Sequence, residues 1–237
     1  VYTAIMLLAA ILFCQCEKDD EKDNGNNKFT GDSGIFTDPR DDREYEWVRI
    51  GDQIWMAENL TATQLNDGSA IPLVEDGEAW MNAGLSASPA YCWYQHDEEN
   101  YRDDFGALYN WYTVATGKLC PEGWHVPSDQ DWKVLTDYLG GEDVAAGKMK
   151  ATGTEYWMDP NTAATNESGF TALPGGSRSP DGDGFFGMGE YAAFLTSNPE
   201  DADLPWRLLY YDTGEMVRDY DPESAGFSVR CLRDQQE

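Results

Sequence analysis

The chain has 237 residues, enough for one large domain or two small ones and for a core that needs no staples. Its 16 Lys and Arg against 44 Asp and Glu leave a net charge of −28, which repels phosphate backbones and argues against nucleic acid and anionic lipid as partners. No apolar stretch reaches the about 18 residues that a membrane-spanning helix needs.

Tyr2 to Phe13 (YTAIMLLAAILF) is an apolar run of signal-peptide length that ends at Cys14-Gln15-Cys16. From Glu17 to Asp23 the residues are charged. An apolar run, a Cys and a charged tether resemble a bacterial lipoprotein signal, in which the Cys becomes the acylated first residue. Cys16, directly before the tether, is the lipidation candidate. Cys14 is the alternative, because Cys14 and Gln15 are not the small residues that usually precede the acylated Cys. Residues 1–16 read as the signal segment and residues 17–34 as a flexible acidic tether rich in Asn and Gly. That tether resembles the surface-export signal of Bacteroidota lipoproteins. The resemblance implies a domain facing outward from the outer membrane and touching it only through a lipid anchor.

The ordered part opens at Asp38-Pro39-Arg40. Glu44 to Ile50 alternates, Gly51-Asp52 is a turn and Gln53 to Ala57 follows, so 44–57 reads as a hairpin. Residues 61–89, rich in Asp, Gly, Asn and Ser, read mostly as loop. Tyr91 to Tyr94 is a short aromatic strand running into an acidic loop from His96 to Asp104. Leu108, Trp111, Tyr112 and Ala115 have helical spacing. The clearest helix is Ser128 to Leu139, with Ser128 as N-cap, Trp132, Leu135, Tyr138 and Leu139 as its apolar stripe, and Gly140-Gly141 as its end. Loops follow, and Arg207–Tyr211, Glu215–Tyr220 and Gly226–Arg233 read as an antiparallel meander. This order of strands, helices, long loops and strands means α+β.

Five segments taken in order resemble a known family. They are Gly51-Asp52-Gln53-Ile54-Trp55-Met56-Ala57-Glu58-Asn59-Leu60, Gly106-Ala107-Leu108-Tyr109-Asn110-Trp111-Tyr112, Cys120-Pro121-Glu122-Gly123-Trp124-His125-Val126-Pro127-Ser128-Asp129, Asn166-Glu167-Ser168-Gly169-Phe170-Thr171-Ala172-Leu173-Pro174-Gly175-Gly176, and Gly226-Phe227-Ser228-Val229-Arg230-Cys231-Leu232-Arg233-Asp234. Together, over residues 35–234, they resemble the Fibrobacter succinogenes major paralogous domain of surface lipoproteins. The resemblance implies a C-type lectin-like fold, with antiparallel strands, two main helices and long loops. It implies a surface role in adhesion or ligand capture and no established enzyme activity. Lectin-like folds commonly bridge a Cys near the start of a helix to the last strand, which implies a Cys120–Cys231 disulfide and leaves Cys92 over. The family usually carries Trp-Trp-Ser-Ser-Thr where this chain has Ala193-Phe194-Leu195-Thr196-Ser197.

Little in the residues themselves points to catalysis. His125 stands in an apolar segment and reads as a buried structural residue. His96 sits among Asp97, Glu98 and Glu99 at a spacing that matches no metal-ligand set. Asp181 and Asp183 in Asp181-Gly182-Asp183-Gly184 could offer oxygens to Ca²⁺, but the loop lacks the ligand count of a calcium site and reads as a plain turn. The formylglycine-generating enzymes, which are similar in fold, use two cysteines late in the domain, and here only Cys231 stands there. The expected function is non-enzymatic binding of a glycan or protein at the cell surface, without a cofactor; the alternative is a structural or assembly lipoprotein with no small ligand. Tyr156, Trp157, Phe185, Phe186 and Trp206, in the long loops between 156 and 206, are the ligand-binding candidates, because aromatics in Gly- and Asp-rich loops suit sugar stacking or protein contact.

Overall fold

A computed structural model describes Phe29 and residues 31–197 and 204–235. The lipidation candidates Cys14 and Cys16, the apolar run before them and nearly all of the acidic tether lie outside those residues. Three strands come first: β1 (Ser33–Thr37), β2 (Glu44–Ile50) and β3 (Gln53–Met56). The expected hairpin is β2–β3, in register from Trp47↔Met56 to Ile50↔Gln53. Gly51 supplies the left-handed turn at φ 61°.

The stretch read as loop contains a helix, α1 (Gly77–Leu85), capped by the Asp76 carboxylate on Ala79 N. It is followed by β4 (Tyr91–Cys92) and a short 3₁₀ turn. The acidic segment from Glu98 folds as α2 (Glu98–Phe105), with Asp97 as its N-cap. Acidic residues in a first turn are stabilised by the helix dipole, so a segment that looks like a solvated loop can wind. The helical spacing at 108–115 holds only in part. Leu108–Tyr109 is β5, paired with β4, and the helix is α3 (Trp111–Ala115), capped by Asn110.

After β6 (Trp124–His125) comes α4 (Asp129–Tyr138), the helix clearest in the sequence. Ser128 Oγ accepts from Asp131 N, and the Asp131 carboxylate accepts from Ser128 N at 2.8 Å, so the two residues satisfy each other's backbone donors. Trp132, Leu135 and Leu139 are buried. Tyr138 is not: it is 64 % exposed, and its ring lies over Gly51. A further helix, α5 (Glu142–Met149), follows directly. Five α-helices are thus described where the pattern predicts two main ones: α1 lies in Gly- and Asn-rich sequence, α2 buries no residue, and α5 starts directly after the Gly140-Gly141 stop.

The supposed long loops also hold strands: β7 (Gly175–Arg178), β8 (Phe185–Met188) and β9 (Tyr191–Leu195). Then come β10 (Leu204–Tyr210), β11 (Met216–Asp221) and β12 (Leu232–Arg233). The sheets are a five-stranded one of order β1-β2-β3-β12-β6, a three-stranded one of order β11-β10-β9, and the pairs β4-β5 and β7-β8, all antiparallel. The architecture is α+β. The meander exists, but its third strand is β9. The segment from Gly226 instead runs between sheets, bridging Arg178, Tyr109 and Phe194 before β12 enters the large sheet. Phe227, Ser228, Val229, Arg230 and Cys231 are all buried. With both faces covered, this segment is a core thread and cannot lie at a sheet surface.

The main core gathers Trp55, Trp132, Phe170, Phe194 and Trp157, and a smaller cluster gathers Trp80, Ala90, Cys92, Tyr94 and Leu108. Two buried cations tie loops to the core. Lys150 donates to the carbonyls of Thr162, Tyr210 and Thr213 at 2.8–2.9 Å. Arg230 bonds Asn59 Oδ1 and the Phe170 and Thr171 carbonyls. Cys120 and Cys231 form the disulfide that the family resemblance implies, and Cys92 is free and buried, its thiol pushed up by burial to about 11.

His125 is half-exposed, contrary to its apolar context, because the side chain turns outward between Asp131 (3.6 Å) and Asp234 (2.6 Å). Asp131, opposed by partial burial, and then Asp234 raise the imidazole above 6.5. A raised folded-state value contributes stability that is complete below 6.5 and lost as pH rises through the raised value. Wild type should therefore lose about 0.5 kcal/mol relative to His125→Gln between pH 6 and 8, a small figure because solvent screens the pair. Urea titrations at both pH values measure it, and parallel curves for the two proteins would refute the ion pair.

Candidate functional site

Helix α1 forms one wall of the candidate site. Trp80 fixes this helix: it is buried, its indole N–H donates to Ser224 O at 2.8 Å, and the Arg178 guanidinium lies 4.3 Å from its ring centroid. Arg178 in turn donates to the carbonyls of Val74 and Glu75, just ahead of the helix. Two glycines set the spacing. A Cβ on Gly84 would collide with Ser224 Cβ, and one on Gly182 would collide with Gly77 O. The helix therefore presses against the Pro222–Ser224 turn on one side and the β7–β8 turn on the other.

Between these walls lies an open groove of about 500 Å³, lined by Met81, Leu85 and Tyr112, by Pro180, and by Tyr220, Asp221 and Glu223. Its size falls among small-ligand clefts, which span roughly 300–1,000 Å³. Leu85 is 79 % exposed, and Met81 and Tyr220 are exposed as well. Tyr112 O–H donates to Glu223 Oε2 at 2.7 Å, and burial followed by this carboxylate pushes the phenol up to about 12. Burial, and then Asp219, holds Asp221 above the usual carboxylate range.

The aromatic candidates do not form one platform. Trp157 is only 2 % exposed, and its indole N–H donates to Ala172 O at 3.0 Å inside the core. Trp206 is buried and stacks on Phe227 at 4.1 Å. Both indoles are spent on packing, so neither can stack a ligand without moving. Phe185 is half-buried against Tyr94 and His96. Tyr156 is half-buried against Phe105, with its hydroxyl donating to Asp104. Only Phe186, at 57 %, is well exposed. Of the five candidates in residues 156–206, Trp157 and Trp206 are therefore corrected to core residues, while Tyr156, Phe185 and Phe186 keep some exposed surface; Pro180 is the contribution of this stretch to the groove.

Asp181 is engaged within its own turn, accepting from Ser179 Oγ and from Asp183 N at 3.1 Å. Among the described residues, no group of three His, Cys, Asp or Glu side chains is placed to hold a metal ion. Sequence reading missed Met81, Leu85, Tyr112, Tyr220, Asp221 and Glu223. The available signal was Asp76 as N-cap before Trp80, Ala83 and Gly84 at helical spacing, masked by the loop-like composition around it.

A family model described as the Fibrobacter succinogenes major domain matches residues 48–233. No curated protein and no solved structure matches the chain.

Proposed function

This chain belongs to the Fibrobacter succinogenes major domain family, and we propose that it is a surface-anchored lipoprotein whose domain binds a glycan or protein ligand without catalysis. The lipid anchor at Cys16 and the outer-membrane location rest on the sequence of residues 1–23. A C-type lectin-like fold is part of the same reading, supported by the bridge from Cys120, ahead of α4, to Cys231 beside the last strand. The observation that carries the binding reading is the groove beside α1, where exposed apolar side chains and carboxylates share one concave surface. Binding is favoured over formylglycine-type chemistry because Cys231, the one cysteine late in the domain, is consumed in the disulfide.

The test is a screen of the full-length chain against a glycan array, with and without Ca²⁺, and against extracellular proteins. Leu85→Ser or Tyr220→Ala should weaken the strongest hit by about 1–2 kcal/mol, the scale of one buried apolar or aromatic contact, with little change in melting temperature. Undiminished binding by both variants would move the site elsewhere. A screen with no hit would favour the structural lipoprotein.

A further inference from the structure

The groove has a charge preference as well as a shape. Its lining holds two carboxylates and, among the described residues, neither Lys nor Arg. Asp221 ends β11 half-buried, no ion pair to it or to Glu223 is found among the described residues, and the Glu223 carboxylate accepts from the neutral Tyr112 phenol. Partly buried carboxylates gain more from an arriving cation than solvated ones do, because their field is screened less. Lys and Arg carry apolar stems that cover apolar surface while the head stays polar. Leu85, Met81 and Tyr220 offer such surface beside the carboxylates. Tyr220 already accepts one guanidinium, that of Arg218, 4.8 Å from its ring centroid.

Building on the groove as the ligand site, we propose that its occupant is a basic segment of a partner protein, with a Lys or Arg head at Asp221 and Glu223 and its stem along Leu85, Met81 and Tyr220. The net charge of −28 acts in the same direction, drawing cationic partners in at long range. A neutral glycan would use the Tyr220 ring but gain nothing from two adjacent negative charges.

Fluorescence anisotropy on the full-length chain tests this with a short peptide of alternating Arg and Leu and its counterpart with citrulline, which keeps the shape and loses the charge. Two variant pairs carry equal charge changes: Asp221→Asn with Glu223→Gln in the groove, and Glu99→Gln with Glu122→Gln on exposed surface away from it. The groove pair should weaken the Arg peptide at least tenfold, the distant pair less than twofold, and the citrulline peptide should bind at least tenfold more weakly than the Arg peptide. Equal losses from both pairs would reduce the effect to diffuse charge and overturn the proposal. If a neutral glycan binds, and Tyr220→Ala abolishes that binding while Asp221→Asn with Glu223→Gln leaves it intact, the groove stands as the site and the basic partner is wrong. If neither ligand responds to any groove variant, both readings fail.

Discussion

Replacing Arg230 with Leu is expected to cost about 3–5 kcal/mol of stability, the range found when one partner of a buried charged network is removed. Arg230 is 1 % exposed. Its Nε donates to Asn59 Oδ1 at 2.8 Å, its two terminal nitrogens donate to the carbonyls of Phe170 and Thr171, and its guanidinium lies 4.3 Å from the Phe170 ring centroid. Leu fills part of the volume and takes the donor from three acceptors, two of them buried and the Thr171 carbonyl partly so. Arg230→Lys keeps the charge but offers a point donor in place of a planar fork, so its loss should be intermediate. Guanidinium chloride denaturation of the three proteins gives the order wild type, Lys, Leu. A Leu variant as stable as wild type would show that these acceptors find other donors.

Removing the disulfide by Cys120→Ala with Cys231→Ala should cost about 4–5 kcal/mol, since the bond closes a loop across a separation of 111 residues and restricts the unfolded chain accordingly. The bond ties the segment ahead of α4 to the core thread from Gly226, so its loss should also loosen β6 and β12, which pair beside it. Denaturation of wild type with and without reductant, compared with the double variant, measures the effect. If reduced wild type and the double variant both match the oxidised protein, the loop entropy is recovered elsewhere. The same core thread begins two residues beyond Ser224, the residue that meets Gly84 and anchors Trp80. A large destabilisation should therefore reach the groove, and binding measured on either variant has to be read beside its melting curve.

Where local chemistry sufficed, the sequence was readable. The β2–β3 hairpin needed only alternation and Gly51, and α4 needed only Ser128, Asp131 and an apolar stripe, so both stand as expected. Two helices misled for opposite reasons. α2 has no buried residue and so shows no apolar period to read. α1 buries Trp80 and Gly84 in a stretch whose Asn, Gly and Ser content imitates a loop. Trp157 and Trp206 looked like loop aromatics because sequence neighbours say nothing about what a loop folds onto, and each proved to be core.

By itself, then, the sequence determined the α+β class and the family, because hydrophobic period, caps and turn residues act over a few positions and the family segments are contiguous. Only the tertiary structure decided the candidate site. The groove joins α1 to Tyr112, Pro180 and residues 220–224. These positions lie far apart along the chain and meet only because Trp80, Arg178 and the close approach of Gly84 to Ser224 bring their backbones together. No local pattern encodes a contact of that range. It exists only once the core has packed and the polar groups it buries have found their partners.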